Sequence, residues 1–131
     1  MMTSNFARHN IEKFPNAVSI ARSSRLFKVR RYPQLVPSRD LFTKYLAGNL
    51  NEMKYAIEYR RDVLDKLDPA KVFQELGSDA VLLCWEAPGK FCHRQLVAAW
   101  LEDALGIEVP EYVPPRWLDL RCSAVKDNKE G

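Results

Sequence analysis

Five side chains able to do chemistry crowd into one short stretch of the chain: Cys84, Glu86, Cys92, His93 and Arg94. Cys92 beside two cationic types is the arrangement of a nucleophile. Adjacent positive charge and the amides of a helix N-terminus both stabilise a thiolate and pull its pKa below the free value of ~8.5. In that reading Cys92 attacks, Glu86 serves as general acid or base, and His93 assists the sulfur. Arg94 clamps a phosphate or carboxylate through paired N–H groups. One familiar phosphate-handling pattern is missing. After five residues following Cys92 the chain has Ala98 instead of an arginine, with no glycine between them.

Three other uses compete for the same residues. Cys92 and His93 stand four positions before Leu96 and Val97, which puts them on the buried side of a helix, where cysteine is an ordinary core filler. Cys84, Glu86, Cys92 and His93 are also ligand types that zinc accepts. Their spacing matches no usual zinc pattern, so no metal is assigned. The third use is nucleotide or nucleic-acid binding. Arg22, Arg25, Lys28, Arg30 and Arg31 form a basic run without a single acidic residue, interleaved with Phe27 and Tyr32. Cations neutralise phosphate and aromatic rings stack on bases. Arg30, Arg31 and Tyr32, with Cys84, Tyr55 and Tyr59, are the candidate ligand contacts.

The elements that must position these groups follow from local pattern. Residues 80–85, Ala-Val-Leu-Leu-Cys-Trp, form a near-continuous apolar run, which predicts a strand buried on both faces of a parallel sheet. A Pro-Gly turn and a helix over 92–105 come next, with Leu96, Val97, Trp100, Leu101, Ala104 and Leu105 as its apolar stripe and Gly106 past its end. Carboxyl ends of strands are where open α/β sheets bind ligands, and the cluster sits at such a junction. Upstream, Ala17 to Ala21 alternates as a first strand. Ser38 caps a helix carrying Leu41, Phe42, Tyr45 and Leu46, with Gly48 after it. A helix over 51–67 has Met53, Ile57, Val63, Leu64 and Leu67 on its apolar side, and Tyr55 with Tyr59 share a face. Asp68-Pro69 restarts a short helix ending at Gly77. Ile107 to Val109 reads as a final strand.

The organisation is one domain over 17–112, a weakly ordered lead-in over 1–16 and a partly docked tail over 113–131. Apolar residues make up 47% of the chain, enough for a packed interior. The net charge of +3 allows an anionic small molecule or nucleic acid as partner without demanding one. No apolar run approaches the ~20 residues of a membrane helix, so no membrane association is expected. Three cysteines without an export signal argue for reduced thiols in a cytoplasmic setting, and a structural disulfide is not expected. Nothing specifies a cofactor or an oligomeric state.

Leu82-Leu83-Cys84-x-Glu86 followed by Cys92-His93-Arg94 resembles the domain-of-unknown-function family number 488. Arg31-Tyr32-Pro33 with Leu35 and Pro37, the Tyr55 and Tyr59 pair, and the run from Val63 to Leu76 extend the likeness over residues 17–112. The resemblance implies a compact α/β domain and carries no settled activity. This chain has Ile20-Ala-Arg-Ser-Ser24 where members commonly show a Gly-His-Ser-like segment. The expected fold is therefore a small three-layer α/β domain with a short, mostly parallel sheet flanked by helices. The expected function is a Cys/Glu/His/Arg site for a phosphate-bearing ligand, a nucleotide or nucleic acid, with or without catalysis. The alternative is a non-catalytic nucleic-acid-binding or interaction module whose Cys/His cluster is structural.

Overall fold

The computed structural model describes residues 1–6, 14–22, 29–85 and 91–112. Its elements are β1 (Met2–Asn5), β2 (Ala17–Ser19), β3 (Arg30–Arg31), α1 (Arg39–Leu46), α2 (Glu52–Asp62), α3 (Pro69–Leu76), β4 (Val81–Cys84) and α4 (His93–Leu105). The four strands make one parallel sheet in the order β1-β4-β2-β3, so this is a small α/β domain.

β4 is the central strand its composition predicts. Val81, Leu82, Leu83 and Cys84 are all buried, because strands lie on both sides and side chains cover both faces. Leu82, Val18 and Ile20 turn to the face where all four helices place their buried apolar side chains, among them Leu41, Tyr59, Val72 and Leu101. Val81 and Leu83 turn to the other face with Ala17, Phe6 and Phe14.

Local chemistry sets the helix ends. Ser38 accepts from the Leu41 amide (3.1 Å), Asn51 from the Lys54 amide (2.8 Å) and Asp68 from the Ala70 amide (3.1 Å). Gly48, Gly77 and Gly106 follow α1, α3 and α4 at positive φ, where a side chain would be strained.

Four expectations are corrected. Met2–Asn5 is a strand within the supposed lead-in. Its Met-Thr-Ser-Asn text carries little apolar signal, and pairing with β4 (Met2 opposite Val81, Asn5 opposite Cys84) is what makes it extended. α2 stops at Asp62, and Leu64–Lys66 forms a separate 3-10 turn. Met53 and Ile57 are exposed on α2 while Tyr55 and Tyr59 are buried; of the expected apolar side, Leu64 is buried and Val63 and Leu67 pack against the core. Ile107 to Val109 is not a strand: among the described residues the pairing of this region is an isolated bridge just beyond it, between Thr3 and Glu111. No helix among the described residues is long and apolar enough to cross a membrane.

Candidate functional site

Parallel pairing brings the carboxyl ends of β1, β2 and β4 to one edge of the sheet, and α4 begins there. The first turn of α4 presents three consecutive side chains to different surroundings. Cys92 precedes the helix in extended conformation, and its amide donates to the Gln95 side chain (3.3 Å). That bond satisfies an amide of the helix entry.

His93 is buried and reaches back to β2. Its Nε2–H donates to the Ile20 carbonyl (2.7 Å), which leaves Nδ1 as the unprotonated nitrogen. Nδ1 stands 3.7 Å from the Cys92 sulfur. Burial pushes the imidazole pKa down to about 4, and the Arg94 charge adds to that effect, while the Ile20 bond opposes it. The ring is therefore neutral at pH 7, with a lone pair facing a sulfur. Tyr59 packs edge-on against it, with ring centroids 5.5 Å apart.

Arg94 faces the opposite way and is fully buried. Its Nε and NH2 groups donate to the two carboxylate oxygens of Glu111 (3.1 and 3.0 Å), and NH1 donates to the Cys84 sulfur (3.1 Å). The Thr3 hydroxyl also donates to Glu111 (2.7 Å), tying β1 to the pair. A guanidinium so engaged positions β4 against α4. It is not among the residues lining the cleft described next.

Cys84 and Cys92 meet at the strand–helix junction and are joined as a disulfide. This corrects the expectation of separate reduced thiols. The odd cysteine count said nothing about these two, and only the docking of α4 on the end of β4 brings their sulfurs together. The sulfurs and His93 also form a compact group of metal-ligand types, with ligand atoms within 4.8 Å of one another.

A cleft of about 70 Å³ opens onto Cys84, Cys92 and His93. Its walls carry Tyr45, Tyr55, Trp85 and Phe91, with Arg22 as the cation among the lining residues. The rings brace one another: Tyr45 and Phe91 each lie 5.2 Å from Tyr55 between centroids, and Trp85 lies 4.4 Å from Phe6. Arg22 is held through one donor, NH1 to the Pro37 carbonyl (2.9 Å). A guanidinium has five N–H groups, so among the described residues it keeps donors for a ligand.

The remaining candidate residues separate. Tyr55 lines the cleft, and burial raises its hydroxyl pKa. Tyr59 is fully buried and donates to the Leu35 carbonyl (2.5 Å), so it supports the site from behind. Arg31 donates to the Ala21 and Arg22 carbonyls (3.2 Å each), bracing the segment that carries Arg22. Arg30 and Tyr32 belong to another place. Arg30 binds Asn16 and the Leu76 carbonyl, and Tyr32 donates to Glu75 (2.6 Å). Burial and then Glu75 push the Tyr32 pKa up to about 12. Glu86, Arg25 and Lys28 lie outside the described residues. Tyr45, Trp85, Phe91 and Glu111 were not singled out from the sequence as site residues. Trp85 adjoins Cys84 and Phe91 adjoins Cys92, a proximity that could have flagged them. Nothing local marks Glu111 as the partner of Arg94.

A family model described as the active DUF488-N3 subclade matches residues 6–105. No curated protein and no solved structure matches the chain.

Proposed function

The chain belongs to the DUF488 family, and from that premise we propose that its cleft is an active site for a nucleotide-like ligand, with Cys92 as nucleophile. The observation that carries the reading is the Cys92 sulfur on the cleft wall with a neutral His93 Nδ1 3.7 Å away. When the cysteine pair is reduced, Nδ1 accepts a hydrogen bond from the Cys92 thiol, and the proton passes to it only as the sulfur attacks an electrophilic centre of the ligand. Nε2 stays bonded to the Ile20 carbonyl, which holds the ring in the productive tautomer.

Recognition divides between two kinds of group. Tyr45, Tyr55, Trp85 and Phe91 offer faces and edges to a planar base, and Arg22 offers donors to a phosphate. An aromatic slot with a cation at its wall suits a ligand that is planar at one end and anionic at the other. The description of the matching subclade as active supports catalysis over binding alone.

One observation favours the rival, a non-catalytic nucleic-acid-binding or interaction module. Arg94, Glu111 and Cys84 satisfy one another internally, as a structural cluster would. The two readings part on Cys92. The test is iodoacetamide labelling of the reduced full-length protein against pH, with and without a panel of nucleoside monophosphates, read by peptide mass spectrometry. An active site gives a Cys92 midpoint below ~8.5, protection by at least one nucleotide, and about tenfold weaker protection in Arg22→Ala. Labelling only after unfolding, or nucleotide binding that survives while Cys92 stays inert, selects the module.

A further inference from the structure

Nucleophilic catalysis at Cys92 has no evident use for a second cysteine, yet Cys84 is bonded to it on the wall of the same cleft. We propose that Cys84 and Cys92 are an active dithiol–disulfide couple, exchanging with a small thiol that enters the cleft. Cys92 is the sulfur attacked and Cys84 the leaving and resolving thiol. This goes beyond the nucleotide reading and does not depend on it.

The assignment of roles comes from the two environments. Cys84 receives the Arg94 NH1 donor at 3.1 Å, and that guanidinium is itself held by Glu111. A thiolate at Cys84 would therefore be paired with a fixed cation the moment it forms, which makes Cys84 the better leaving group. Cys92 has the neutral His93 Nδ1 on one side and cleft space on the other. Cys92 is also the less buried residue of the two, 6% exposed against 1% for Cys84.

The exchange balances in two steps. A small thiolate attacks the Cys92 sulfur, forming a mixed disulfide, and the Cys84–Cys92 bond breaks with its electron pair on Cys84. A second thiolate then attacks the small molecule's sulfur in that mixed disulfide. Cys92 leaves as a thiolate, and a small disulfide departs. Two thiolates enter and two protein thiolates result, so the protein pair is reduced by two electrons and two thiols are oxidised to one disulfide. His93 Nδ1 is placed to hydrogen-bond the Cys92 thiol that forms when this sulfur takes up a proton. Run in reverse, a small disulfide oxidises the pair.

The test uses the full-length protein in buffers of 2-mercaptoethanol and its disulfide, quenched with acid, alkylated and read by peptide mass spectrometry. Cys84 and Cys92 should gain label together around one midpoint, reversibly, while circular dichroism stays native. In Cys84→Ser the mercaptoethanol adduct should accumulate on Cys92. In Cys92→Ser it should form on Cys84 at least ten times more slowly. The proposal is overturned if the two cysteines react only where the fold is lost, if they titrate independently, or if the adduct prefers Cys84. Stoichiometric zinc in the reduced protein, shielding both thiols, would likewise overturn it in favour of a metal site. Should Cys84→Ser fail to fold, the wild-type titration still decides. Exchange without nucleotide protection of Cys92 would sink the proposed function and leave the couple standing.

Discussion

Two polar clusters flank the same strands, and they differ in what their groups have left to offer. At the β3 edge, Arg30 meets Asn16 (2.9 Å), the Leu76 carbonyl (2.8 Å) and the Glu75 carbonyl (3.3 Å). Asn16 in turn donates to Leu76 and Asp79. Tyr32 closes the group on Glu75. At the β4 end, Arg94 and Glu111 are similarly occupied, but Cys92, His93 and Arg22 line a cleft, and Arg22 is held there by one bond, NH1 to the Pro37 carbonyl. Both regions contain arginine, tyrosine and acidic residues. Residue type therefore does not distinguish a scaffold from a site here. Unspent hydrogen-bonding capacity beside open space does.

The comparison can be broken hardest at its buttress. Removing Glu111 leaves the Arg94 guanidinium buried without its carboxylate, the situation that makes breaking a buried pair costly. Glu111→Ala should lose about 3 kcal/mol in urea unfolding, the low end for such pairs because Glu111 keeps some exposure. A loss under about 0.5 kcal/mol would mean that Arg94 finds other partners and is no fixed support.

The next effect comes from His93. Unfolded, it titrates near 6.5; folded, at about 4. Between those values the unfolded chain holds a proton that the folded chain lacks, so stability rises with pH. The contribution is fully present above pH 6.5 and is lost as pH falls to about 4, by at most on the order of 3 kcal/mol. Urea midpoints measured from pH 4.5 to 7 should show this slope in the wild type and not in His93→Gln. A titration of the folded ring near 6.5 by NMR would mean that burial does not hold the ring neutral, and the pH slope would vanish.

The smallest contrast is the sharpest. Arg30→Ala should cost about 1 kcal/mol of stability and leave Cys92 protection by nucleotide unchanged, because its donors serve the fold. Arg22→Ala should do the opposite, with stability within about 0.5 kcal/mol and the protection weakened. Equal behaviour of the two variants, by paired urea unfolding and Cys92 labelling, would erase the distinction between the regions.

Much of this was legible in the chain. Ser38, Asn51, Asp68 and the three positive-φ glycines mark helix ends through bonds and dihedrals spanning a few residues, so local text suffices. The apolar run 80–85 announced a central strand, and the Cys92–His93 placement on the buried side of α4 followed from helical spacing. α2 misled because Met53 and Ile57 are the more apolar residues, yet Tyr55 and Tyr59 are the ones that face the cleft and the core. Tyrosine packs as well as methionine when its hydroxyl finds a partner, as Tyr59 does at Leu35.

By itself, then, the sequence determined the helices, the central strand and the stretch where the chemistry gathers, since each depends on interactions between near neighbours. Tertiary structure decided what those groups do. β1 exists through pairing with a strand nearly eighty residues away, Arg94 is claimed by Glu111 across a helix, and the Cys84 and Cys92 sulfurs meet only when α4 docks on β4. No local pattern carries such pairings, because the partners are chosen by the packing of the whole domain.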